Sequence, residues 1–239
     1  MTHRTVEVLP DKAALIQRSL ELVCDQMRSA IADHGRCTIA LSGGSTPKPL
    51  YEAIAAQDLP WEQIYVFWGD ERYVPPDHPD SNEGMARAVW LDRVPIPAGN
   101  IYPMPTHAAD PATAAATYGD QLQSFFDLPP GAMPALDIVL LGMGDDGHTA
   151  SLFPHTEALQ VRDRPVTVGS KNGEPRLTLT VPCINQARCV LFVVAGASKQ
   201  PALAQVFAAQ GDDQMYPSRL IQPQGQFWWL LDEAAAGLI

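Results

Sequence analysis

Four glycine-containing segments of this 239-residue sequence hold side chains able to do chemistry. The first is Gly142-Met143-Gly144-Asp145-Asp146-Gly147-His148. An imidazole, with an ordinary pKa near ~6.5, can take a proton from water at neutral pH and return it to a leaving oxygen. A histidine in such a run is compatible with a core turn, a metal site or an acid–base site. Glycines that force an exposed loop around His148, with Asp145 and Asp146 beside it, favour the acid–base reading. The spacing of Asp145, Asp146, His148 and His155 matches no common zinc signature, so no metal ligand is assigned.

The second segment, Ser42-Gly43-Gly44-Ser45-Thr46-Pro47, joins an apolar run to a helix start. Free N–H groups and the helix dipole favour an anion there, and Gly43 and Gly44 let one approach closely, so phosphate is the natural guest. A tight turn with a Ser or Thr cap is an equally good reading of these residues alone. The pattern is neither Gly-x-x-x-x-Gly-Lys-Ser/Thr nor Gly-x-Gly-x-x-Gly, so it carries no nucleoside-triphosphate or dinucleotide fingerprint. Two further loops each offer a cation: Arg72 in Gly69-Asp70-Glu71-Arg72, and Lys199 after Gly196-Ala197-Ser198. Singly, each reads as a surface or salt-bridge residue; at one sheet edge, they would give a phosphate dianion its charged partners. Asp70 and Glu71 are the obvious internal partners of Arg72; Asp70 in particular is expected to hold the guanidinium, with a direct catalytic role as the alternative. The sequence has no Gly-x-Ser-x-Gly elbow and no cysteine in a glycine loop. Direct attack by water is therefore expected, rather than a covalent acyl-enzyme.

The elements that must position these loops alternate in type. Apolar residues at Ile16, Leu20, Val23, Met27 and Ile31 mark one face of a helix over 11–35. Short apolar strands follow at 37–41, 64–68, 136–141, 189–194 and 227–231, with helices at 49–56, 81–91, 111–126, 199–209 and 233–236. A hairpin is expected from strands at 165–168 and 176–181, turning at Lys171-Asn172-Gly173, and a short strand is expected near Ile101. This alternation implies an α/β fold with a doubly wound, mostly parallel, Rossmann-like sheet and helices on both faces, as a single domain over 1–239. Such sheets bind ligands beyond the carboxyl ends of their strands. The loops after Leu41, Trp68, Leu141 and Val194 all lie at such ends, so they converge on one crevice.

Composition narrows the partners. With 16 basic against 27 acidic residues, the net charge of -11 repels nucleic acid and anionic membranes. It leaves room for an anionic small molecule at a local cluster of cations and N–H groups. The first eight residues lack the apolar run of a signal peptide, and no stretch approaches the ~18 apolar residues of a membrane span. Cys24, Cys37, Cys183 and Cys189 form no Cys-x-x-Cys pair and read as buried free thiols, which fits a reducing cytoplasm. Oligomeric state is open between a monomer and a small homo-oligomer.

Several runs then carry a resemblance. They are residues 41–47 (Leu-Ser-Gly-Gly-Ser-Thr-Pro), 68–75 (Trp-Gly-Asp-Glu-Arg-Tyr-Val-Pro), Asp80-Ser81-Asn82, and 141–154, which continues past His148 as Thr-Ala-Ser-Leu-Phe-Pro. With Thr178-Leu179-Thr180-Val181-Pro182, Ile184-Asn185, Gly196, Lys199 and residues 229–232, they resemble the α/β-type 6-phosphogluconolactonases. The wider superfamily includes glucosamine-6-phosphate isomerase/deaminases. The resemblance implies hydrolysis of 6-phospho-D-glucono-1,5-lactone to 6-phosphogluconate, with no metal or organic cofactor. By position, His148 corresponds to the general base, Asp146 to its companion, and Ser45, Thr46, Arg72 and Lys199 to phosphate and substrate contacts. Gly43 and Gly44 join the phosphate contacts, Asp70, Gly142 and Gly144 are supporting residues, and backbone N–H groups of the glycine loops would help steady the oxyanion. The chain departs from many relatives at Glu83-Gly84 and Gln200, which puts pocket detail in question. The enzymatic alternative is the isomerase/deaminase, whose Asp-Gly-His-Ile-Ala-Phe-Asn-Glu-Pro pattern carries a carboxylate that this chain lacks before Glu157. A silent sugar-phosphate sensor is a third reading, weakened by an intact His148 and by the lack of any appended regulatory motif.

Overall fold

The computed structural model describes residues 4–237; residues 1–3 and 238–239, the ends of the expected 1–239 unit, lie outside the described residues. Six strands form a parallel sheet: β1 (Arg4–Leu9), β2 (Cys37–Leu41), β3 (Ile64–Trp68), β5 (Ile138–Leu141), β8 (Cys189–Val194) and β9 (Gln226–Asp232), in the order β1-β9-β8-β5-β2-β3. Every residue of β2, β5 and β8 is buried, as a strand covered on both faces requires. The cover is visible at β9. Trp228 meets Arg18 of helix α1 (Lys12–His34) on one face, while Trp229 meets Phe207 of α6 (Gln200–Phe207) edge-on from the other. Adjacent strand residues point to opposite faces, so α1 and α6 sandwich the sheet. The expected doubly wound, Rossmann-like architecture with helices on both faces is therefore observed.

Local signals set the helix ends. Asp11 accepts the N–H of Ala14 at 2.8 Å to start α1, and Gly35, at φ 80°, ends it. Asp110 does the same for α4 (Pro111–Phe125), accepting from the Thr113 N–H at 2.9 Å. Helix α2 (Pro47–Ala55) starts two residues earlier than its periodicity implies and, unlike these two, has no side-chain cap at Thr46.

A second, antiparallel sheet of three strands has the order β4-β7-β6, with β4 (Asp70–Arg72), β6 (Val166–Lys171) and β7 (Glu174–Leu179). The hairpin turns at Asn172 and Gly173, both at positive φ, so it is present with longer strands than expected. Four elements depart from the sequence reading. Residues 70–72, read as loop, pair with β7, because the ladder continues where Leu179 N donates to Gly69 O at 2.8 Å. Residues 181–185 form a short helix, α5 (Val181–Asn185), with Pro182 in its first turn rather than the end of a strand. The N-terminal β1 is a half-exposed edge strand, and its Thr-Val-Glu-Val alternation is too short to stand out against the polar flanks. The strand expected near Ile101 is a single bridge to Val66. No helix among the described residues is long and apolar enough to cross a membrane.

The chain winds outward from β2 to β3, then returns on the other side of β2 as β5 and continues to β8 and β9. The loops leaving β2 and β5 thus diverge from neighbouring strands, which opens a crevice at the switch point.

Candidate active site

That crevice, about 310 Å³, is lined from all four expected loops. Gly43, Gly44, Ser45 and Thr46 come from the end of β2, Asp70 and Arg72 from β4, Gly142, Gly144 and His148 from the end of β5, and Lys199 from the end of β8. Asp146 stands behind His148 instead of lining the space.

The His148 wall is built by a tightly wound loop. Gly144 N donates to His148 O at 2.9 Å, Gly147 N donates to Gly144 O at 3.0 Å, and the Thr149 hydroxyl donates to Gly142 O at 2.8 Å. Asp146 Oδ1 accepts from the His148 backbone N–H at 3.1 Å and lies 2.5 Å from ring Nδ1. Burial acts to raise the Asp146 pKa, but the hydrogen bond and charge of His148 prevail and hold it at about 2. A carboxylate beside Nδ1 selects, for the neutral ring, the tautomer with its proton on Nδ1 and its lone pair on Nε2. Gly144 is required here, because a Cβ on it would collide with both His148 Nδ1 and Asp146 Oδ1. The other side of the ring rests on Phe153, with centroids 4.4 Å apart.

A second wall of the crevice is cationic. In β4 and β7, Arg72 stands directly opposite Arg176, a residue that sequence reasoning passed over. Like charges in a cross-strand pair repel, and the Arg176 pKa is lowered by burial first and by the Arg72 charge second. Both Nε–H groups are buried without a hydrogen-bond partner. The expectation that Asp70 holds Arg72 is corrected. Arg72 Nη1 donates to the Asp80 carbonyl at 3.0 Å and to Asn82 Oδ1. Asp70 instead accepts from the buried Ser151 hydroxyl at 2.7 Å. Glu71 is taken up by the start of α3 (Asn82–Val89), accepting the N–H groups of Asn82 and Glu83 at 2.8 Å each. A carboxylate inside a ladder next to a helix start satisfies N–H donors before it reaches a side chain beyond them.

Lys199 pairs with Asp145 at 2.6 Å, and Ser198 donates to the same oxygen at 3.0 Å, so this cation reaches the crevice already tethered. His155 is held through its backbone, donating to Gln214 O at 3.0 Å. Asp145, Asp146, His148 and His155 therefore do not converge, and no group of three or more metal-ligating side chains occurs among the described residues. Sequence reasoning also missed Asn82 and Lys171 as lining residues. The available signal for Arg176 was its place in a hairpin register opposite Arg72, which appears only once β4 is recognised as a strand. The departures at 83–84 and 200 do not line the space. Glu83 pairs with Arg87 at 2.7 Å, Gly84 packs on the Pro76 carbonyl, and Gln200 donates to Ala234 O at 2.8 Å.

Residues 10–229 match the family described as glucosamine-6-phosphate isomerases/6-phosphogluconolactonase. The chain belongs to this family. It is 69% identical to a 6-phosphogluconolactonase of a Nostoc species, with 97% of each chain covered, and 62% identical to one of a Synechocystis species, with 96% of each covered. Among solved structures, the 6-phosphogluconolactonase of Trypanosoma brucei superposes with a TM-score of 0.89 at 31% identity, covering 99% of this chain and 98% of that one. A monomeric glucosamine-6-phosphate deaminase superposes with a TM-score of 0.84 at 18% identity over the whole of both chains, a likeness of fold alone.

Proposed function

We propose that this chain hydrolyses 6-phospho-D-glucono-1,5-lactone to 6-phospho-D-gluconate, the lactone step of the oxidative pentose phosphate pathway, with water as the nucleophile. The observation that carries the reading is that one crevice is lined both by a histidine bonded to an aspartate and by two guanidiniums with unpaired Nε–H groups. In an acidic chain, that under-paired cationic wall suits a phosphate dianion. The uncapped start of α2 and the glycines at 43–44 add backbone N–H groups to the same grip.

The chemistry follows from the tautomer. His148 Nε2 takes a proton from water as its oxygen bonds to the lactone carbonyl carbon. The developing oxyanion meets N–H groups of the glycine loops. The imidazolium then gives its proton to the ring oxygen as the carbon–oxygen bond breaks, and the new carboxylic acid loses its proton to solvent. Asp146 keeps the ring oriented and favours the charged intermediate, without itself being protonated. Four buried, unpaired cysteines are consistent with this work being done in the reducing cytoplasm.

The test is a continuous assay with freshly generated 6-phosphogluconolactone, comparing wild type and Arg72→Ala with buffer. Wild type is expected to exceed spontaneous hydrolysis by orders of magnitude, with Arg72→Ala impaired at low substrate. Ammonia release from glucosamine 6-phosphate without lactonase activity would reverse the assignment toward the deaminases.

A further inference from the structure

Asn82 stands where three parts of the cationic wall meet. It is 1% exposed, and its Oδ1 accepts from Arg72 Nη1 while its Nδ2 donates to the Asp70 carbonyl at 2.8 Å. A Cβ on Gly43 would collide with the same amide, so Asn82 also lies against the loop after β2. The oxygens that meet the Arg72 guanidinium are both neutral, the Asn82 amide and the Asp80 carbonyl. Three other arginines are held by a carboxylate: Arg18 on Glu7, Arg87 on Glu83 and Arg219 on Asp213, each at 2.7 Å. A carboxylate at position 82 would hold Arg72 at least as firmly, but it would also cancel the charge that the crevice presents.

We propose that Asn82 is a positioning residue whose neutral amide orients Arg72 while leaving the guanidinium charge free for the phosphate of the substrate. This rests on reading the Arg72–Arg176 wall as the phosphate grip. An amide is the side chain that meets both demands: its oxygen accepts from Arg72, its nitrogen satisfies the Asp70 carbonyl, and it carries no charge. The role belongs to substrate affinity, since Asn82 makes no contact with His148 or Asp146 among the described hydrogen bonds.

The test measures competitive inhibition of the lactonase by inorganic phosphate in wild type, Asn82→Ala, Asn82→Asp, Arg72→Gln and Arg176→Ala, with thermal unfolding of each. Asn82→Ala leaves Arg72 on the Asp80 carbonyl, and the inhibition constant is expected to rise about threefold. Asn82→Asp keeps an acceptor for Arg72 but neutralises it, and the rise is expected to reach about tenfold or more. A role in packing alone predicts the opposite order, because alanine loses both hydrogen bonds and leaves a hole. Asn82→Ala losing as much phosphate affinity as Asn82→Asp would overturn the proposal. Should Asn82→Asp fail to fold, Arg72→Gln supplies the comparison: it is expected to lose at least about threefold more affinity than Asn82→Ala, and a smaller loss overturns the proposal equally. If neither Arg72→Gln nor Arg176→Ala weakens phosphate inhibition, the phosphate-grip reading itself falls, an outcome distinct from failure at Asn82.

Discussion

The two walls of the crevice are held in opposite ways. The His148 wall is saturated: the loop bonds to itself, the aspartate bonds to the ring, and a glycine supplies the only room in which that pair fits. The cationic wall is deliberately incomplete, with two facing arginines whose Nε–H groups have no protein partner. A group that must present one lone pair in one direction benefits from fixed geometry. A group that must bind a dianion benefits from partners withheld until the dianion arrives, at the cost of like-charge repulsion in the empty site. The first wall should therefore govern turnover and the second affinity.

Breaking that division at its strongest point, His148→Ala is expected to lower kcat at least ~10²-fold, measured by lactone hydrolysis at saturating substrate. Next, Gly144→Ala forces a methyl into the His148–Asp146 pair, and kcat is expected to fall roughly tenfold to a hundredfold in the same assay although no catalytic group is removed. On the cationic wall, Arg176→Ala should raise KM about tenfold with kcat little changed. A fall in kcat alone would place Arg176 in the chemistry instead.

The smallest effect sharpens the saturated wall. The Asp146 carboxyl is held at about 2, below the ordinary ~3.9, so its pairing stabilises the fold fully above pH ~4 and loses that contribution as pH falls toward 2. The stability gap between wild type and Asp146→Asn should be fully present at pH 5 and narrow below about pH 4. Because Asp146 is 45% exposed, solvent screening limits the gap to about 1 kcal/mol or less. Denaturant unfolding between pH 5 and 2 checks it, and a gap that widens as pH falls below about 4 would contradict the assignment.

The difference between the walls also explains what the sequence could disclose. The His148 wall is local: one strand, one glycine loop and one aspartate two residues away, all contiguous in the chain and readable as such. The parallel sheet was legible for a related reason, since strands buried on both faces are unbroken apolar runs such as 138–141 and 189–194. The cationic wall is assembled by register between residues about a hundred positions apart. Arg72 reads as a lone cation with acidic neighbours, and only the β4–β7 ladder reveals that Arg176 faces it and that Asp70 and Glu71 are committed elsewhere. No periodicity signals a three-residue strand, and no spacing rule encodes its partner. Asn82 was visible as part of a motif, but its contacts to Arg72, Asp70 and Gly43 arise from tertiary packing.

The most direct measurement is the effect of His148→Ala on two constants in one preparation: kcat for 6-phosphogluconolactone and the inhibition constant for inorganic phosphate. A loss of at least ~10²-fold in kcat with phosphate inhibition within about twofold of wild type is the expected result, because the base is removed and the grip is not. Wild-type turnover above the spontaneous rate in His148→Ala would contradict the account, whatever the phosphate constant does.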